Sequence, residues 1–210
     1  MSITLRDLIR MVRACKTAAE ERAVISKECA LIRTAIREES EIYRGRNVAK
    51  LMYIHMLGYP TAFGQMETLK LISAPSFSDK RVGHLALTLL LTENTEVLTL
   101  VTNSLKVDLS NSNQYIQALS LISIGNLATS DMARDLASDV EKILKGMSSY
   151  LKKKAALATI RLIKKEPELI EHLSERIITL LKDRTHGVLI ATIQLIIEVI
   201  SVEPETKNDF

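Results

Sequence analysis

Val48-Ala-Lys-Leu-Met-Tyr-Ile54 has four counterparts further along the chain: Val82-Gly-His-Leu-Ala-Leu-Thr88, Ile116-Gln-Ala-Leu-Ser-Leu-Ile122, Leu151-Lys-Lys-Lys-Ala-Ala-Leu157 and Val188-Leu-Ile-Ala-Thr-Ile-Gln194. Their first residues lie 34 to 37 positions apart, and each segment opens on an apolar residue followed by small or branched apolar neighbours. A period of roughly 20–50 residues marks a solenoid, because one helix pair cannot bury its own apolar face and must stack on its neighbours. The expected fold is therefore all-α, a right-handed α-solenoid of HEAT/armadillo-like helical repeats. Such an array is first a surface for holding partners, and chemistry is its lesser role.

The composition suits helices. Only 7 Gly and 4 Pro interrupt the 210 residues, aromatic residues are few and Trp is absent, which disfavours short twisted strands. A formal net charge of +3 is too small for bulk charge to name nucleic acid or membrane as a partner, so local patches must carry that argument. Val188 to Ile200 is the longest apolar stretch, but it carries Gln194 and Glu198 and falls short of the roughly 20 residues a membrane span needs. Arg6, Asp7, Arg10 and Arg13 break up any leader-like apolar run. A cytoplasmic, reducing environment is expected.

The first helix is predicted to run unbroken from about Thr4 to Glu39, with Leu5, Leu8, Val12, Cys15, Ala19, Ile25, Cys29, Ile32 and Ile36 on its apolar face. Thr4 is its expected N-cap, with Asp7 three residues on in the capping-box position. Cys15 and Cys29, the only cysteines, would then lie on one side of that helix as small core residues, too far apart for a disulfide. Further helices are expected at 47–57, ended by Gly58-Tyr-Pro60, and at 67–73, 80–91, 96–109, 113–128 and 132–144. Ile193, Ile196, Ile197 and Ile200 have no obvious following helix to pack on. Residues 1–210 are thus expected to be the N-terminal part of a longer array.

At this point the sequence resembles a known family. Leu5-Arg-Asp-Leu-Ile-Arg-Met-Val-Arg13, Lys27-Glu-Cys-Ala30 and above all Arg46-Asn-Val-Ala-Lys-Leu-Met-Tyr-Ile-His-Met-Leu-Gly-Tyr-Pro60 are similar to the large subunits of clathrin adaptor complexes. Phe63-Gly-Gln65, Asn103-Ser-Leu-Lys106, Arg134-Asp-Leu-Ala137 and His186-Gly-Val-Leu189 extend the likeness over the whole chain, most closely to the γ-type adaptins of the trans-Golgi network and endosomes. The resemblance implies a non-enzymatic trunk that cradles a small σ subunit beside β and μ subunits. It also implies recruitment to phosphoinositide-containing membranes by an Arf-family GTPase.

Arg6, Arg10, Arg13 and Lys16 follow one another at helical spacing as a basic stripe. By themselves they read as a solvated face partly neutralised by Asp7, Glu20 and Glu21. The resemblance implies that Arg13, with Arg10 beside it, helps receive acidic dileucine sorting signals, for which a guanidinium fork suits a carboxylate. Arg44, Arg46 and Lys50 form a second group where a loop enters a helix, and backbone donors there can hold a phosphate. In related α-type adaptins the equivalent lysine-rich stretch binds phosphoinositide head groups. Gly45 and Asn47 depart from that pattern, which implies weaker binding or a different lipid, phosphatidylinositol 4-phosphate being the one linked to γ types. The bland reading is a surface loop.

Lys152-Lys153-Lys154, the densest positive run, and Lys80-Arg81 read as solvated rims. His55, His84, His172 and His186 lack metal-ligand spacing, and no phosphate loop, nucleophile elbow or H-E-x-x-H motif occurs. Neither cofactor, metal nor catalytic residue is expected. A nucleic-acid partner would need a longer basic stripe with stacking aromatics. The competing reading is a generic HEAT/armadillo scaffold or transport receptor binding peptides on its concave face, although armadillo peptide grooves commonly carry the Trp that this chain lacks.

Overall fold

A computed structural model describes residues 3–38, 41–93 and 97–208. It is built from α-helices and two short 3-10 turns, with no strand among the described residues. The chain divides into two compact units, Met1–Thr92 and Glu93–Phe210. The first holds α1 (Leu5–Ala14), α2 (Ala18–Arg37), α3 (Arg44–Met56), α4 (Gln65–Ile72) and α5 (Phe77–Leu90). The second holds α6 (Leu98–Leu109), α7 (Gln114–Leu127), α8 (Ser130–Lys145), α9 (Ser149–Lys165), α10 (Leu169–Leu180) and α11 (His186–Val202).

The five recurring segments lie one each on α3, α5, α7, α9 and α11. In the first unit α3 packs beside α5, and α4 hairpins onto α5. In the second, α9 lies between α7 and α11, while α6, α8 and α10 form the outer layer, each paired with the helix that follows it. Val48, Ile116, Leu151 and Val188 are buried where the helices stack, whereas Val82 is only half-buried and its neighbour Gly83 takes the core position. A Cβ on Gly83 would stand 2.8 Å from the backbone nitrogen of Ile72, so α4 and α5 approach closely only because that side chain is missing.

Polar side chains close the helix ends. Arg161 Nε donates to the Ala128 carbonyl and Ser130 Oγ to the Lys165 carbonyl, each tying one helix end to a neighbouring helix. Lys80 is not the solvated rim expected: it is buried, and its ammonium donates to the Ile72 carbonyl at 2.6 Å, capping α4 where the macrodipole favours a cation. Gly58, at φ +90°, ends α3 as its sequence predicts, with the amides of Gly58 and Tyr59 returning to the carbonyls of His55 and Ile54.

The first helix is not continuous. It stops at Ala14, Cys15 and Thr17 are extended, and α2 starts afresh at Ala18. The break has a sequence cause in Thr17-Ala-Ala-Glu20. Thr17 Oγ1 accepts the Glu20 amide, and the Glu20 carboxylate reaches back to the Lys16 amide at 2.8 Å, satisfying donors a through-helix would have bonded internally. Cys15 and Cys29 therefore belong to different elements, and both are free thiols. The expected helix end at Glu39 and the expected start at Glu96 lie outside the described residues.

Candidate functional site

The α1 stripe is set by its cap. Thr4 Oγ1 accepts the Asp7 amide at 3.2 Å, and Asp7 Oδ2 accepts the Thr4 amide at 3.3 Å, completing the expected capping box. Bonds from Thr4, with smaller help from Arg10 and Arg6, hold the Asp7 carboxyl below its ordinary range. Leu8 and Val12 are buried, which leaves Arg6, Arg10 and Arg13 exposed on the other side. Arg10 lies 3.8 Å from Asp7, a loose solvated pair. Because α1 ends at Ala14, Arg13 occupies the last turn, where a cation is favoured by the macrodipole. Lys16 falls beyond the helix and leaves the stripe.

The second group forms a cleft of about 1130 Å³ between the start of α3 and the α4–α5 turn, lined by Arg44, Arg46, Lys70, Ser78 and Asp79 among others. Arg44 and Arg46 sit in the first turn of α3, which begins three residues earlier than expected. Arg44 is largely spoken for: its Nε donates to Glu67 Oε2 at 3.0 Å, and Glu41 lies 3.6 Å away. Glu67 also holds Lys70 at 2.7 Å. Arg46 is exposed, with its guanidinium 5.1 Å from the Tyr43 ring centroid. A Cβ on Gly45 would meet Asp79 Oδ1 at 3.1 Å, so a basic side chain at 45 would have to displace that carboxylate.

Lys50 does not belong to this cleft, which corrects the expectation. It is fully buried, and its ammonium lies 2.5 Å from Glu28 Oε1 on α2. Helical spacing explains the placement, since Lys50 shares the buried face of α3 with Asn47, Leu51 and Ile54. Glu67 and Lys70 were not foreseen. Their spacing of three on a short helix is visible in sequence, but nothing there says that they face Arg44, 23 residues earlier. The cleft lining holds Arg44, Arg46 and Lys70 against Glu41 and Asp79, and Glu67, just outside it, holds Arg44 and Lys70, so with Glu67 counted the formal charges balance.

Among the described residues no cluster of His, Cys, Asp and Glu could hold a metal ion, and no helix is long and apolar enough to cross a membrane. Apolar side chains are exposed on the stacked helices of the second unit: Ile122 on α7, Leu157 on α9, Ile193 and Ile197 on α11. The architecture defines a helical-repeat protein.

Residues 21–209 match the family described as the adaptin N terminal region, and the chain belongs to that family. It is 54% identical over 206 residues to the AP-1 complex subunit gamma-1 of Arabidopsis thaliana and 54% identical over 203 to the AP-1 complex subunit gamma of Dictyostelium discoideum. The alignments take in 98% and 97% of this chain but 24% and 23% of those proteins, so it spans about a quarter of their length. Among structures, a homology model of the full-length AP-3 complex in an intermediate open conformation is similar at TM-score 0.69 and 27% identity, over 77% of this chain and 29% of that one. A designed armadillo repeat protein in complex with the peptide (KR)4 shares the fold at TM-score 0.61 and 13% identity, over 93% of this chain and 99% of that one. The all-α, HEAT/armadillo-like solenoid class follows.

Proposed function

We propose that this chain is the N-terminal trunk of a γ-type large subunit in a clathrin-associated adaptor complex, working without catalysis in vesicle-mediated protein transport at trans-Golgi network and endosomal membranes. It scaffolds a small σ subunit, beside β and μ subunits, through the apolar side chains exposed on its stacked helices. Membrane recruitment combines an Arf-family GTPase with phosphoinositide binding in the α3 cleft. Arg46 and Arg44 are the cations there, Arg46 the more exposed of the two. A cleft without net charge suits a lipid of few phosphates, in keeping with the phosphatidylinositol 4-phosphate expected.

The observation that carries the cargo role is the exposed guanidinium of Arg13 at the end of α1, with Arg10 one turn back, offered to an acidic dileucine peptide. The test is assembly of the chain with matching σ, β and μ subunits, followed by peptide titration with wild type and Arg13→Glu. Charge reversal is expected to weaken binding by about tenfold or more, with assembly intact. Unchanged affinity would remove Arg13 from the cargo site.

A further inference from the structure

The triple-lysine run remains outside every role above, and the fold gives it neighbours. α7, α9 and α11 lie side by side, and hydrogen bonds tie their beginnings together. Ser148 Oγ donates to Gln114 Oε1 at 3.2 Å, and Thr185 Oγ1 donates to Ser149 Oγ at 3.0 Å. Tyr115 and Tyr150 meet on this edge with ring centroids 6.0 Å apart, both still exposed. Beside them Met147, in the α8–α9 turn, is 98% exposed.

The charge of the edge is one-sided. Segments 111–117, 146–154 and 181–188 hold Lys152, Lys153, Lys154, Lys182 and Arg184 against the single carboxylate of Asp183. Asp183 takes Lys152 at 3.0 Å. Among the described residues neither Lys153 nor Lys154 has a carboxylate partner. The Lys153 stem passes close to Gly187 at the start of α11, its Cδ 3.5 Å from where a Cβ would stand. Apolar stems laid along the protein with charged heads beyond them are the snorkelling arrangement of an interface.

We propose that this edge is a separate membrane-contact surface that selects anionic bilayers by charge rather than by head-group identity. Met147 and the two tyrosine rings enter the interfacial layer, where amphipathic rings are favoured, and Lys153, Lys154, Lys182 and Arg184 face anionic lipid heads. The shape decides against an acidic peptide. A side chain as exposed as Met147 stands off the surface, and in the hollow of about 350 Å³ behind it Lys142 is already paired with Asp139 at 2.7 Å, so the hollow offers an acidic peptide no unmatched cation.

The test is co-sedimentation of the full 210-residue chain with phosphatidylcholine vesicles, with and without phosphatidylserine and always without phosphoinositide. Binding is expected only with phosphatidylserine, and to fall by about tenfold or more in Lys153→Glu/Lys154→Glu, since each cation near an anionic surface is worth about fivefold. Met147→Ser, which loses no packing, should weaken it by a few fold. The proposal is overturned if the double variant or Met147→Ser binds as wild type does. It is equally overturned if soluble hexaglutamate binds this edge while the vesicles do not. Failure of the phosphoinositide reading is seen separately, as Arg46→Glu having no effect on vesicles containing phosphatidylinositol 4-phosphate.

Discussion

On α1 the guanidiniums of Arg10 and Arg13 stand in solvent, whereas on α3 the Lys50 ammonium is buried against Glu28 and the Arg44 guanidinium is turned onto Glu67. Both helices carry basic residues at helical spacing. They differ in what lies opposite. α1 packs through its apolar side, with Leu8 and Val12 buried, so its polar side stays in solvent. α3 is enclosed by α2, α4 and α5, and its packing draws Lys50 and Arg44 onto carboxylates of other helices. A cation can be offered to a ligand only where the fold has not already matched it.

The largest test of that contrast is Glu28→Ala. It would leave the Lys50 ammonium buried without its carboxylate, at a cost of about 3–5 kcal/mol. For a chain of this size that lowers the melting temperature by about 10 °C. Adding Lys50→Met should restore much of the loss, because the desolvated charge goes with its partner. A melting temperature within a degree of wild type in Glu28→Ala would mean that Lys50 reaches solvent, and would return it to the cleft.

A smaller effect is expected from Glu67→Gln, which releases Arg44 and Lys70 from Glu67, leaves Arg44 beside Glu41 alone, and gives the cleft one net positive charge. Binding of a soluble inositol phosphate should tighten by roughly fivefold, the size of one unit charge at a solvated surface. Isothermal titration reads it directly. Weaker binding would show that Glu67 positions Arg44 for the ligand instead of withholding it.

The smallest concerns the α1 cap. The Asp7 carboxyl is lowered in the folded chain, first by its bonds with Thr4 and then by Arg10 and Arg6. Its stabilisation is therefore complete above the unfolded carboxylate pKa and disappears as pH falls through the lower folded value. Thr4→Ala removes the main cause. The melting difference between wild type and Thr4→Ala should be greatest at neutral pH and narrow on acidification. A gap independent of pH would assign the cap to the Thr4 hydroxyl alone.

Local chemistry made much of this legible beforehand. The recurrence at Val48, Val82, Ile116, Leu151 and Val188 marked one helix of each repeat, and Gly58 marked where α3 stops. The Thr4 box was plain, and the equivalent Thr17-Ala-Ala-Glu20 was equally readable, though the apolar periodicity running through it concealed the break. The exposure of Arg10 and Arg13 followed from the opposite side being apolar. In these places the residues that decide the outcome lie within a few positions of one another.

Lys50, Lys80 and Arg44 were decided otherwise. Their partners, Glu28, the Ile72 carbonyl and Glu67, lie on other helices, and packing rather than spacing brought them within hydrogen-bonding reach. The sequence by itself determined the helices, their period and the local caps at Thr4, Thr17 and Gly58, because those depend on backbone geometry and neighbours three or four residues away. Tertiary structure alone decided which cations remain available, because desolvation and pairing are set by what packs against a side chain.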